Sequence, residues 1–205
     1  MGMTADGVVK KLSSIAGYVA MFAAAYGDKT VTFRRVAMAL ANFVRTITSS
    51  NSAFDRYQAG DKTALTKAQK RGLEFFNGKG ECAECHEGFN FSDEKFANLG
   101  IGFDRRDPDL GREVVTHRRG DIGKFKVPTL RDAARTPRFM HDGRFQTLDE
   151  VLDFYAKGGI SNPHLDTRIL PFFMDRQIKE DLLEFLQALN GEGWQSIKPP
   201  EHLPN

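Results

Sequence analysis

Over residues 30–48 the apolar positions fall at steps of three and four. Phe33, Val36, Ala37, Leu40, Phe43, Val44 and Ile47 make one continuous stripe, the pattern of an amphipathic helix. Thr30 or Thr32 supplies an acceptor for its first turn, and the Ser-Ser-Asn-Ser run at 49–52 ends it. Residues 8–26 repeat the spacing more loosely through Leu12, Ile15, Val19, Phe22 and Ala23. This segment reads as a second amphipathic helix. Lys10, Lys11 and the small residues at 23–25 resemble an export signal in outline, but Ser13, Ser14 and Gly17 interrupt the apolar core that a signal requires.

Further along, residues 66–77 predict a helix capped by Thr66, with Leu73 and Phe76 on one side and Gly78 and Gly80 breaking it. A short helix is expected over 127–134, after Pro128. Thr147-Leu148-Asp149-Glu150 is a capping box opening a helix over 147–157, with Leu148, Val151, Leu152 and Tyr155 on one face and Gly158-Gly159 as its stop. A last helix is predicted over 175–190 from Ile178, Leu182, Phe185, Leu186 and Leu189, ended by Gly191. The Pro-rich tail beyond Trp194 reads as extended. From 87 to about 127 neither period holds; Gly, Asp, Asn and Arg are punctuated by Phe89, Phe91, Phe96, Ile101 and Phe103. No internal repeat is visible.

Composition changes this picture in two places. With 205 residues, 40% hydrophobic and 27% charged, the chain is a folded one, long enough for one domain with some length to spare. Lys and Arg number 29 against 27 Asp and Glu, so there is no basic surplus of the kind nucleic acid demands. No apolar run reaches the length of a membrane span, about 18 residues. The unusual counts are 17 Phe and only two Cys. Two cysteines cannot frame a chain of this length with disulfides, so their spacing has to explain them.

That spacing is Cys82-Ala83-Glu84-Cys85-His86. Two thiols three residues apart add to the two vinyl groups of one haem, and the adjacent His is then held under the porphyrin, where its imidazole ligates iron. The rival uses are weaker. Zinc would need two further ligands at fixed spacing, and there is no second Cys pair and no paired His motif. A thioredoxin-like redox pair would want a βαβ setting, which the pattern does not offer. A pair of inert buried thiols leaves His86 unexplained. Covalent haem c also gives the irregular stretch at 87–127 a reason. A large flat apolar cofactor serves as core for a loop studded with aromatic residues, although ordinary packing would also consume many of the 17 Phe.

The sixth iron position decides between electron transfer and binding of a small molecule. Met140, Met174, His117, His141, His164 and Tyr155 are the candidates in reach of the pattern. Each has a plainer use. Met140 and Met174 fill core gaps, His141 sits in the turn-like Phe-Met-His-Asp-Gly-Arg, and Tyr155 lies on the apolar face of a capped helix. Spacing alone does not choose among them. Arg131, Lys126 and Arg144 are candidate partners for haem propionates, because charge-assisted contacts to carboxylates favour such residues.

Several motifs follow one another in a telling order: Asn51-Ser52-Ala53-Phe54-Asp55-Arg56-Tyr57, Gly72-Leu73-Glu74-Phe75-Phe76, the CAECHEG run, Lys126-Val127-Pro128-Thr129-Leu130-Arg131, and Phe139-Met140-His141-Asp142-Gly143-Arg144. Thr147-Leu148 through Asp153-Phe154-Tyr155 and the closing Leu-Leu-Glu-Phe-Leu-Gln-Ala-Leu helix complete the set. As a series these resemble the bacterial di-haem cytochrome c peroxidase and MauG family from about residue 20 onward. The resemblance implies a mostly α, cytochrome c-like helical domain with long irregular haem-wrapping loops at 59–205. It implies that the helices of 1–58 are the end of the family's first haem domain.

It also implies ligands: His86 proximal and, at the position occupied by Met in typical peroxidases and Tyr in MauG-like members, Tyr155 distal. The family's inter-domain calcium is held partly by backbone carbonyls that match Thr136 and Arg138. Its usual side-chain partner comes from the first domain, which leaves calcium without a full set here. There is one CxxCH, no segment resembling the peroxidatic site, and Trp194 is the sole Trp and lies near the C-terminus. The expected function is therefore that of the electron-transfer haem feeding peroxide reduction or a MauG-like oxidation. A free-standing mono-haem carrier and a haem-based ligand binder are the alternatives. Expected partners are a peroxidatic haem domain or subunit and a small donor such as a cytochrome c or cupredoxin. Because haem c is attached outside the bacterial cytoplasm, a periplasmic or otherwise exported mature form is expected, in a sequence that starts late or is processed.

Overall fold

The computed structural model describes residues 2–198 and 200–204, and its contacts divide into two compact units. The first consists of the segment up to Thr48 together with the segment from Glu192; the second is residues 49–191.

In the first unit, α1 (Ala5–Ser13), α2 (Ala16–Tyr26) and α3 (Phe33–Thr46) bury Phe22, Val31 and Val36 against Val8, Val9, Leu12, Val19 and Tyr26. The stretch expected as a single helix over 8–26 is two helices that meet at 100°. Ser14 turns its hydroxyl back onto the Lys11 carbonyl, and Ile15 takes an extended conformation that cannot continue a helix. α3 starts at Thr32, whose Oγ1 accepts the Arg35 backbone N–H at 3.2 Å. Only Val36 of its stripe is buried; Phe33, Leu40, Phe43, Val44 and Ile47 are each 46–62% exposed. No single helix among the described residues is long and apolar enough to cross a membrane.

The second unit holds α4 (Ala53–Gln58), α5 (Lys67–Asn77), the one-turn α6 (Glu113–Thr116), α7 (Leu148–Ala156) and α8 (Arg176–Gln187). Capping boxes open α4, α5 and α7 through Ser52/Asp55, Thr66/Gln69 and Thr147/Glu150, and Asp175 caps α8. Helices α5 and α8 cross in direct backbone contact. A Cβ on Gly72 would overlap the Asp181 carbonyl, so only glycine permits the approach. Beside it Arg71 grips the buried Asp181 with two bonds of 2.6 Å. The core under this crossing is aromatic: Phe54, Phe76, Phe91 and Phe185 meet edge to face at 5.0–6.2 Å, joined by Leu152, Leu182, Leu186 and Leu189.

One expectation is corrected here. The helix expected at 127–134 is absent; only a 3-10 turn forms, at Ala133–Arg135. The preceding polar groups are spent on the loop opposite. Val127 N–H donates to the Lys95 carbonyl, Ser92 Oγ to the Val127 carbonyl, and Thr129 Oγ1 to the Asn90 carbonyl. By contacts, α4 belongs to the second unit, which begins at Ser49. α4 is fastened into the second unit by the Phe54 ring and by an Asp55–Arg131 ion pair of 2.8 Å.

The stretch at 87–127 is held by short pieces. β1 (Phe96–Ala97) pairs antiparallel with β2 (Phe125–Lys126). The fully buried Asn98 donates to the Ile122 carbonyl and accepts the Gly100 N–H.

Candidate haem c site

α5 delivers the chain to Gly78, and Gly80 then passes so close beneath the Phe75 ring that a Cβ there would sit 2.7 Å from it. Glu81 is left-handed (φ 50°), and a 3-10 turn follows at Cys82–Glu84. The backbone N–H groups of Cys85 and His86 both donate to the Cys82 carbonyl, at 3.3 and 2.9 Å. One tight turn therefore sets two sulfurs and an imidazole. Both thiols are free, and both are half-buried. Burial pushes Cys82 up to about 11 and raises Cys85 as well, with Arg168 opposing the shift at Cys85. Both thiols are held in the protonated form, with Cys82 Sγ donating to the Gly80 carbonyl at 3.3 Å.

His86 is aimed by its own loop. Its Nδ1 lies 2.9 Å from the Phe91 carbonyl oxygen, which can only accept, so the proton belongs on Nδ1 and Nε2 keeps its lone pair. Phe91 holds this position at a price in backbone freedom, with φ at 51°. Its ring is locked in the aromatic core, and that fixes the carbonyl. Burial lowers the His86 pKa, and the Phe91 carbonyl, Asp93 and the Pro128 carbonyl oppose it in part; the result is a neutral ring at pH 7.

Tyr155 comes from α7. Its hydroxyl makes no hydrogen bond among the described residues, and burial, with Cys85 and Cys82 next in effect, pushes its pKa well above the usual phenol value. It is thus a half-buried phenol, without a hydrogen-bond partner among the described residues and within electrostatic reach of both thiols. Two thiols on one turn, a neutral imidazole with Nε2 free and an unpartnered phenol are groups that could hold a covalent haem. Among the described residues no three His, Cys, Asp or Glu side chains converge to hold a bare metal ion.

The remaining candidates have other surroundings. His141 is stacked flat on Phe125, with centroids 3.5 Å apart, and His117 ends α6 in an exposed left-handed turn. The His164 backbone N–H is tied to Asn162. Met174 packs on the aromatic core, and Met140 is half-buried in a left-handed turn (φ 68°). Thr136 and Arg138, the candidate carbonyl ligands for calcium, lie in an exposed stretch, with Arg138 at φ 76°.

Arg131, expected to meet a haem propionate, has other partners in this structure. Its side chain is 5% exposed, its NH1 and NH2 bind Asp55 at 3.0 and 2.8 Å, its Nε donates to the Phe89 carbonyl, and its plane covers the Phe89 ring. Arg131 ties α4 to the haem loop. Arg144 is likewise engaged by Asp104 and Asp142, and Lys126 by Glu94 at 2.6 Å. Sequence reading missed Phe91 and the group Asp93, Asp166 and Arg168. Arg168 binds Asp166 through two bonds of 2.9 Å, donates to the Glu84 carbonyl and acts electrostatically on Cys85. Only their nearness in sequence to CxxCH could have pointed to Phe91 and Asp93.

A helical fold with long irregular loops and this set of side chains defines the class of c-type haem proteins. The comparisons with known proteins narrow the class. The family model described as di-haem cytochrome c peroxidase matches residues 1–63. The methylamine utilization protein MauG of Methylorubrum extorquens is 38% identical over 198 residues, covering 94% of this chain. Cytochrome-c peroxidase IdrP1 of a Pseudomonas species is 36% identical over 211 residues, covering 88%. A solved MauG-like protein associated with microbial copper homeostasis superposes with a TM-score of 0.73 at 32% identity, over 92% of this chain and 62% of its own. The diheme peroxidase BthA of Burkholderia thailandensis shares the fold, with a TM-score of 0.68 at 20% identity over 98% of this chain and 62% of its own. The chain belongs to the di-haem cytochrome c peroxidase and MauG family, a family of covalent haem c proteins. It spans about half the length of the curated relatives it matches, 54% of MauG and 55% of IdrP1.

Proposed function

We propose that this chain carries the electron-transfer haem of a peroxidase- or MauG-type oxidoreductase: one haem c joined to Cys82 and Cys85, with His86 proximal and Tyr155 distal. The observation that carries this reading is the Tyr155 hydroxyl on α7, which makes no hydrogen bond among the described residues and lies within electrostatic reach of both thiols. When bound, haem c supplies a one-electron couple. The chain's own residues do the rest. Phe91 holds the proton on His86 Nδ1 and leaves Nε2 free to hold the iron, and Tyr155 would serve as a second ligand and exclude small molecules. The charge of bound iron would offset the burial that otherwise keeps the Tyr155 proton in place. The haem-loaded ferrous chain is therefore expected to bind carbon monoxide slowly and weakly. Fast stoichiometric binding would favour the ligand-binding alternative.

The same proposal takes residues 1–58 as the end of a first haem domain and 59–205 as the cytochrome c-like domain. Five large apolar side chains exposed along one face of α3 support it, since a stripe of that size marks a surface made to be covered. The occupant proposed is the peroxidatic haem domain or subunit, corresponding to the part of the relatives' length that this chain does not span. A free-standing carrier would gain nothing from such a face. The haem-loaded chain is expected to bind the hydrophobic dye ANS, and Leu40→Glu with Val44→Glu to cut that binding several-fold without altering the haem spectrum. Unchanged dye binding would locate the sticky surface elsewhere. A small cytochrome c or cupredoxin as donor and a periplasmic or otherwise exported location complete the proposal.

A further inference from the structure

The haem loop contains a carboxylate that none of the roles above uses. Asp93 has a side chain 1% exposed, deeper than any ordinary surface acid. Its N–H donates to the Cys85 carbonyl at 2.8 Å, which pins it to the CxxCH turn, and its Oδ1 accepts the Lys95 N–H at 2.9 Å. Its cationic neighbours stand off: Arg168 at 3.5 Å and Lys95 Nζ at 3.9 Å. Arg168 is meanwhile claimed by Asp166 through two shorter bonds. Asp93 is thus a buried carboxyl without a tight counter-ion, and it acts electrostatically on both His86 and Cys85.

We infer that Asp93 is a positioning residue that lowers the reduction potential of the haem held by His86, and that Arg168 beside it acts in the opposite sense. The ferric form carries one more positive charge than the ferrous form. A nearby anion favours it, the more so where water is excluded. This inference rests on the haem attachment proposed above.

The test is spectroelectrochemical titration of the haem-loaded chain. Asp93→Asn keeps the shape and the acceptor for Lys95 N–H while removing the charge. It is expected to shift the reduction equilibrium threefold to tenfold toward the ferrous form, tenfold being about 59 mV for one electron. Arg168→Gln is expected to move it the other way. Glu94→Gln, a change of the same charge one residue along but on a side chain 57% exposed, is expected to move it far less. The inference is overturned if Asp93→Asn shifts the potential no more than Glu94→Gln does. It is equally overturned if Arg168→Gln shifts it in the same direction as Asp93→Asn, a comparison that stands even where one variant loads haem poorly. A wild-type chain without covalent haem would instead overturn the site assignment, and this inference with it.

Discussion

Replacing Tyr155 with Phe is expected to convert a low-spin, six-coordinate ferric spectrum into a high-spin one, and to open the ferrous chain to carbon monoxide. The substitution isolates the ligand role unusually well. The ring keeps its place against Phe154, 5.8 Å away. The hydroxyl that is lost makes no hydrogen bond among the described residues, so no protein group is left unsatisfied and the iron is the one partner it gives up. Stability should stay within about 1 kcal/mol of wild type, since neither a cavity nor a broken network results. A variant whose spectrum matches wild type would remove Tyr155 as ligand. The same spectrum recorded for Met140→Leu and Met174→Leu would then identify the replacement.

A larger effect is expected from Cys82→Ala with Cys85→Ala. Covalent haem should fall to background, while either single substitution should leave one thioether and a shifted absorption band. The damage should extend beyond attachment. Cys82 and Ala83 both pack on the aromatic core, and residues 87–127 have little regular structure besides the two-residue β1–β2 pair and single helical turns. A cofactor that serves this stretch as core would leave it open when lost, so limited proteolysis is expected to cut first between Phe89 and Phe125. If the double variant were cut no faster than wild type, the loop would hold itself together without the haem.

Those features that depend on adjacent residues were legible in the sequence. The CxxCH turn, the boxes at Thr66/Gln69 and Thr147/Glu150, and the glycine stops after α7 rest on contacts within a few positions. What depends on distant partners was not. Arg131 looked available for a propionate because nothing in its neighbourhood announces Asp55, 76 residues away. The segment at 127–134 had the composition of a helix, yet its backbone is bonded to residues 90–95. The break between α1 and α2 at Ser14–Ile15 carries no glycine or proline to mark it. Phe91 is the sharpest case. Seventeen Phe suggested a haem lining, whereas this one turns its ring into the protein core and uses a left-handed backbone to orient His86. No sequence pattern assigns a positive φ to a phenylalanine.

Family membership fixes the kind of cofactor, and the proposal places its attachment at Cys82 and Cys85 and its ligands at His86 and Tyr155. That assignment is tested most directly by intact mass and electron paramagnetic resonance on one purified, haem-loaded sample. The account predicts the mass of the polypeptide plus one haem, retained after denaturation, with a low-spin ferric signal of His/Tyr type that disappears in Tyr155→Phe. A mass without added haem, or a high-spin signal in the wild-type chain, would contradict it.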